Sequence, residues 1–362
     1  MHLRRSRPIL LLPVFGLLAG CNMVTMHPSG DVAVQQRDLI IASTLLMLLI
    51  IVPVMLLIAL FAWRYRQSNT AATYDPEWHH STQLEVAIWS APLAIIVALG
   101  ALTWISTHVL DPYRPIARIS PTQAVPQGIK PLTVEVVALD WKWLFIYPDL
   151  GIATVNELAA PVDTPIAFKI TASSVMNSFY IPALAGQIYA MPAMETKLHA
   201  VINKPGEYEG FSANYSGEGF SDMHFKFHGM SNADFQRWVQ TVKAGGGGAL
   251  NRADYLRLAM PSERDPVHRY AVVAPDLYEA ILNECVDSSK MCMSDMMRID
   301  AHGGLGLPGG RNLVATDYES LRRRDGRRAR TYVASICEIP GAADLKSRLA
   351  QTRPQTRLLN DR

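Results

Sequence analysis

Residues 132–150 read LTVEVVALDWKWLFIYPDL. Polar and apolar side chains alternate through much of this run, and β-branched and aromatic residues dominate it. That is the pattern of a strand pair packed on a buried core. The same style continues in TPIAFKITASSVMNSFYIP (164–182), in GQIYAMPAMETKLHAVINKPGEYEGFSANYSG (186–217) and in DMHFKFHGM (222–230). Short strands parted by Pro and Gly turns predict an antiparallel β-sandwich of about 100 residues, from Pro131 to Met230. Trp141 and Trp143, two apart, fall on one strand face and are expected to pack in the core.

Upstream of the sandwich the texture changes. Residues 108–130 form a Pro-rich connector, and residues 39–63 and 86–107 are two runs without a single charged side chain. Each run exceeds the roughly 20 residues that cross a hydrocarbon core. Pro53 and Pro92 inside them are tolerated in membrane helices, and Trp63, Tyr65, Trp89 and Trp104 are placed as interfacial aromatics. The N-terminus, MHLRRSRPILLLPVFGLLAGC, has a basic start, a short apolar stretch and small residues, the layout of a signal peptide over residues 1–20. Its ending, Leu18-Ala19-Gly20-Cys21, resembles the lipobox of bacterial lipoproteins, in which the Cys is acylated. A lipidated Cys21 places segment 21–38 outside, the loop 64–85 inside with Arg64 and Arg66, and everything beyond residue 107 outside. The basic residues agree with that direction.

Downstream, residues 231–300 read as short helices, with NADFQRWVQTVKA amphipathic and GGGG at 245–248 a break. Residues 301–362, with RRRDGRRAR, read as a polar tail. On the oxidising side of a membrane Cys285 can bridge Cys292, but three cysteines remain after Cys21 and the pairing with Cys337 stays open. A net charge of +2 over 362 residues, without a basic aromatic-interleaved surface, argues against nucleic acid as a partner. His224 and His228 share an alternating face with Lys226 and read as a solvent face. KMCMSDMM (290–297) clusters soft atoms that suit Cu(I) or plain packing.

The stretch GFSANYSGEGFSDMHF (210–225) spaces Ser212, Ser216, Phe220 and Met223 by four, four and three. With Cys, Cys, His and Met there, it would hold copper. Two spans, an acidic residue opening the second, ALTW..TH.LDPY.P at 101–115, and SANYSG.GFS.M at 212–223 resemble subunit II of the haem–copper respiratory oxidases. The replacement pattern resembles the quinol-oxidising cytochrome bo type, over about residues 9–290. The resemblance implies a membrane α-helical hairpin joined to an extracytoplasmic all-β cupredoxin-like sandwich and a short helical C-terminal region. It places the family's copper ligands at Asn177, Ser212, Asn214, Ser216, Phe220 and Met223, so that only the Met survives and no metal is expected. Thiolate and imidazole are the soft donors copper needs, and hydroxyl and phenyl are not.

The resemblance further implies a non-catalytic subunit of a proton-pumping ubiquinol oxidase in a bacterial plasma membrane. Haems and copper would reside in partner subunit I, with subunits III and IV and membrane lipid as further partners. Ubiquinol is then the substrate of the complex, and cytochrome c is not a partner. The family's glutamate at the mouth of a proton-uptake channel falls on Glu85, which a role in capping the helix N-terminus would equally explain. Two rival readings remain: a membrane-tethered copper carrier or assembly chaperone using the Met-rich segment, and a cytochrome c oxidase subunit with a degraded copper site.

Overall fold

The computed structural model describes residues 23–301, apart from Tyr74 and Gly246. Cys21, the leader before it, Cys337 and the tail from residue 302 lie outside the described residues. Helices α1 (Asp31–Arg64) and α2 (Thr82–Val109) form the hairpin. Both run past the uncharged stretches, and α1 begins at Asp31 rather than at residue 39. A carboxylate is favoured there by the positive end of the helix dipole. The outer domain also fixes this start: the N–H groups of Ser29 and Gly30 donate to the Ala183 carbonyl at 2.9 and 2.8 Å. Along both helices the large apolar side chains, among them Leu49, Leu56, Trp89 and Val97, are exposed. Neither helix has its most apolar stretch buried by the described chain. Apolar surface of this extent calls for a cover beyond the described residues.

The connector carries a small ribbon, β1 (Arg118–Ser120) with β2 (Gln123–Ala124). Then come β3 (Leu132–Leu139), β4 (Lys142–Tyr147), β5 (Ile152–Val155) and β6 (Glu157–Pro161). They are followed by β7 (Ile166–Ala172), β8 (Asn177–Tyr180), β9 (Ile188–Ala190) and β10 (Thr196–Ala200), and then by β11 (Gly206–Ser212) and β12 (His224–Met230). The C-terminal region supplies α3 (Asn232–Ala244), β13 (Ala249–Leu250), α4 (Arg252–Leu258), β14 (His268–Tyr270), β15 (Val272–Val273), α5 (Leu277–Leu282) and α6 (Met293–Ala301). One sheet orders its six strands β10-β7-β3-β4-β5-β14, and the facing sheet its five β6-β12-β11-β8-β9.

Within these two sheets, two pairings depart from the antiparallel expectation: β3 with β7 and β6 with β12 are parallel. Alternation of side chains reports which face is buried but not which way the neighbouring strand runs. At Asn156 (φ 56°) the chain passes from β5 in one sheet to β6 in the other, and β6 joins β12 in the same sense.

Period-two alternation distributes β3 to β5 between two cores. Val134, Val136, Ala138, Trp143, Phe145 and Tyr147 face inward between the sheets, against Phe179, Phe225 and Phe227. Val137, Leu139, Leu144, Ile146 and Val155 face the other way and are covered by Leu250, Tyr255, Leu277, Tyr278 and Ile281 of the C-terminal region. With both faces covered, every residue of β4 is buried. A large apolar side chain gains about 1.5–3 kcal/mol from such burial, so the C-terminal region is part of the domain's stability. Besides its helices it adds β14 as the sixth strand, pairing with β5. Cys285 and Cys292 form a disulfide between α5 and α6.

Candidate functional site

The site lies at one end of the sandwich, where β8 begins, β11 ends and the chain loops to β12. Asn177 and Ser212 are both buried. The Ser212 hydroxyl has one proton, with acceptors at Asn177 Oδ1 (3.1 Å) and the Asn214 carbonyl (3.2 Å). Asn177 Nδ2 donates to the Val175 carbonyl at 3.2 Å, and Asn214 Nδ2 to the carbonyls of Met176 and Tyr215, each at 3.2 Å. The loop closes when Ser212 N–H donates to the Met223 carbonyl at 3.2 Å. Met223 itself is fully buried and packs into the core between the sheets.

The other two positions are held by aromatic packing. Trp141 Nε1 donates to the Ser216 carbonyl at 3.0 Å. A side chain at Gly219 would meet the Trp141 ring at 2.6 Å, and Gly217, at φ +115°, lies against the same ring. Glycine is required at both for the loop to rest on the indole. Phe220 stacks edge-on to Tyr215 with centroids 5.6 Å apart. Trp141 precedes β4 and is partly buried, whereas Trp143 is fully enclosed, 5.4 Å from Phe179 and 5.8 Å from Phe225 between centroids.

The structure thus brings Asn177, Ser212, Asn214 and the Met223 backbone into one hydrogen-bonded knot, with Ser216 and Phe220 on its flank. As a ligand set it offers hydroxyls, carboxamides, a phenyl ring and one thioether, which does not fit a copper centre. Among the described residues no group of three or more His, Cys, Asp or Glu could hold a metal ion. In the Met-rich segment the disulfide occupies the Cys292 sulfur.

Glu85 lies in the first turn of α2, where its Oε1 is 2.7 Å from His80 Nδ1. The His80 Nε2 is 3.1 Å from Thr82 Oγ1. The N-cap Ser81 makes no side-chain cap bond, and Glu85 is the acidic residue of that first turn. The glutamate therefore has a histidine partner that spacing alone did not single out.

Sequence reasoning missed several charged pairs because their partners are remote in the chain. His224 Nδ1 meets Glu209 Oε1 at 2.9 Å, and Lys226 meets Glu207 at 2.9 Å, across the β11–β12 register. Lys142 is 2% exposed; it donates to the Met260 carbonyl at 2.9 Å and to Ser262 Oγ, and lies 3.4 Å from Asp265. Arg269 grips both oxygens of buried Glu157 at 2.7 Å each. Partial burial, opposed by Lys169 and reinforced by Glu195 and other carboxylates, pushes the Glu135 carboxyl up to about 7.

Residues 150–228 match the family model of the periplasmic domain of cytochrome c oxidase subunit II. Residues 243–289 match the COX aromatic-rich motif, whose Tyr255 and Tyr278 cover the outer face of the six-stranded sheet. The sandwich is therefore an oxidase subunit II outer domain. The chain is 50% identical over 276 residues to the cytochrome bo(3) ubiquinol oxidase subunit 2 of Pseudomonas putida, covering 76% of this chain and 85% of that one. It is also 50% identical over 266 residues to the ubiquinol oxidase subunit 2 of Acetobacter aceti, covering 74% and 84%. The chain belongs to the family of subunit 2 of the cytochrome bo-type ubiquinol oxidases.

Proposed function

We propose that this chain is the non-catalytic subunit 2 of a proton-pumping terminal oxidase that oxidises ubiquinol and reduces oxygen to water. The observation that carries the reading is the Ser212–Asn177 knot, in which a carboxamide and a hydroxyl saturate one another where an electron-entry centre would need soft ligands. A quinol is lipid-soluble and reaches the membrane-embedded partner laterally, so the outer domain needs no metal to receive electrons. Haem and copper chemistry belongs to partner subunit I. This chain clasps that subunit with α1 and α2, whose apolar faces its own domain leaves bare, and it assembles with subunits III and IV.

In this reading α1 and α2 span a bacterial inner membrane, Cys21 carries the lipid anchor, and the sandwich lies in the periplasm. Glu85, paired with His80 at the inner boundary, contributes to proton uptake. A tag on this chain, used for gentle detergent purification, tests the whole reading. A haem-bearing multispan protein should co-purify with quinol oxidase activity, no oxidation of reduced cytochrome c, and no copper bound to this subunit. Turnover with cytochrome c, or a two-copper chromophore in this chain, would return it to the copper-relaying class. Stoichiometric Cu(I) on the Met-rich segment would favour a copper carrier, although Cys292 is already bonded to Cys285.

A further inference from the structure

Where the hairpin meets the outer domain, a cavity of about 260 Å³ opens between the first turn of α1, the chain leaving α2 and the domain edge near His199. Val32, Val109 and Ile116 line part of it. Asp31 is 3% exposed and lines it too. Its Oδ2 accepts from Gln35 Nε2 and Arg118 Nε, both at 2.8 Å. Its Oδ1 is buried with no hydrogen-bond partner. Buried carboxylate oxygens are rarely left without a donor, so this one calls for a ligand that brings an N–H or O–H.

Two neighbours narrow the chemistry. His199 Nδ1 lies 3.1 Å from the Pro112 carbonyl, a contact that an N–H makes. In the neutral ring Nε2 is then a second acceptor. Arg114 supplies the opposite character: its Nη1 donates to the His108 carbonyl at 3.3 Å, and it forms no carboxylate pair among the described residues. The remaining N–H groups of its fork suit a phosphate. Asp111 also lines the cavity, with Oδ1 taken up by the Tyr113 N–H at 3.0 Å. The depth is informative as well, because the uncharged stretch of α1 begins at residue 39 and α2 ends at Val109. The cavity therefore sits at the outer boundary of the apolar hairpin, where a headgroup lies above its own acyl chains.

We propose that this cavity binds one phospholipid with a primary-amine headgroup. The ammonium donates to Asp31 Oδ1 and His199 Nε2, and the phosphate pairs with Arg114. A quaternary ammonium has no N–H to give, and a glycerol headgroup offers O–H donors but no cation beyond the Arg118 that Asp31 already has. The site ties the lipid to both helices and the domain at once. This inference rests on reading α1 and α2 as spans.

The test uses the tagged oxidase complex, delipidated and exchanged into vesicles of equimolar phosphatidylethanolamine, phosphatidylcholine and phosphatidylglycerol. Lipids retained after re-extraction are counted by native mass spectrometry for wild type, Arg114→Gln and Asp31→Asn. Wild type should keep one phosphatidylethanolamine more than either variant, at least tenfold preferred over the other two lipids. Variants with intact subunit stoichiometry and quinol turnover serve as the folding control. Equal counts in wild type and Arg114→Gln, or an extra lipid that is phosphatidylcholine or phosphatidylglycerol, would overturn the site. So would loss of bound quinone in place of lipid. Displacement by soluble phosphoethanolamine would overturn the assignment to a lipid. Release of the wild-type chain from membranes by alkaline carbonate would instead defeat the span reading on which the proposal stands.

Discussion

The Ser212 hydroxyl lies 3.1 Å from Asn177 Oδ1, joining the end of β11 to the start of β8 across 35 residues of sequence. Both side chains are buried, and the Ser178 N–H approaches the same hydroxyl at 3.5 Å. Ser212 and Asn177 are neutral groups that satisfy one another, and satisfied polar networks of this kind fix a unique local structure.

Ser212→Ala should therefore act on stability and not on electron transfer. It leaves Asn177 Oδ1 buried without its donor, at a cost of about 1–3 kcal/mol. The thermal midpoint of the purified complex should fall by a few degrees while quinol turnover per intact complex stays at the wild-type rate. A variant with an unchanged midpoint and reduced turnover would instead tie the knot to the electron path.

Glu135 gives a pH signature. Its folded pKa of about 7 stands above the ordinary 4.5, chiefly because of burial. Below the ordinary value the group is protonated in both folded and unfolded chains. As pH rises from about 4.5 to 7, the unfolded chain has released a proton that the folded one still holds, so stability falls across that window. The full penalty is present above it. Glu135→Gln should raise the midpoint at pH 8, and the gain should vanish towards pH 4.5. A gain that grew on acidification would have the wrong sign.

How far the sequence could lead is visible in single residues. The inward set of Val134, Val136 and Phe145 follows from alternation alone, and so does the uncharged character of the two long helices. The burial of Val137, Leu144 and Ile146 does not, because period two cannot say whether a second layer covers the other face. That layer is the C-terminal region, packed through Tyr255, Tyr278 and Ile281. The knot positions came from the resemblance of one loop to a known ligand run. The partners of that loop, such as Trp141 beneath Gly219, depend on tertiary approach and left no local signal. The solvent face of His224 and His228 carries carboxylate partners that only strand pairing reveals: Glu207 lies opposite His228, and Glu209, opposite Lys226, reaches His224 on the diagonal.

Glu85→Gln addresses the first turn of α2. The amide keeps the size of the side chain and a contact with His80 but carries no charge, so α2 should still form. The complex should assemble with normal subunit content while quinol turnover slows several-fold, read as oxygen consumption per haem. His80→Ala should produce a smaller loss if the pair at 2.7 Å acts together. Wild-type turnover in Glu85→Gln would leave the carboxylate only its favourable place at the helix N-terminus.

Lys142 joins the sandwich to the C-terminal region. Its stem starts β4, and its ammonium is enclosed by the Met260 carbonyl, Ser262 and Asp265, with Asp265 itself 17% exposed. Removing one partner of such a pair strands the other in a low-dielectric site, which costs about 3–5 kcal/mol. His268, 3.3 Å from Asp265, would compensate in part when protonated. Lys142→Ala should thus lower the midpoint strongly and expose the segment after α4 to protease. Lys142→Met, which keeps the packed stem, should cost less, and adding Asp265→Asn to it should recover part of the loss. Additive losses in that double variant would show that Lys142 is held by packing and not by the charge pair.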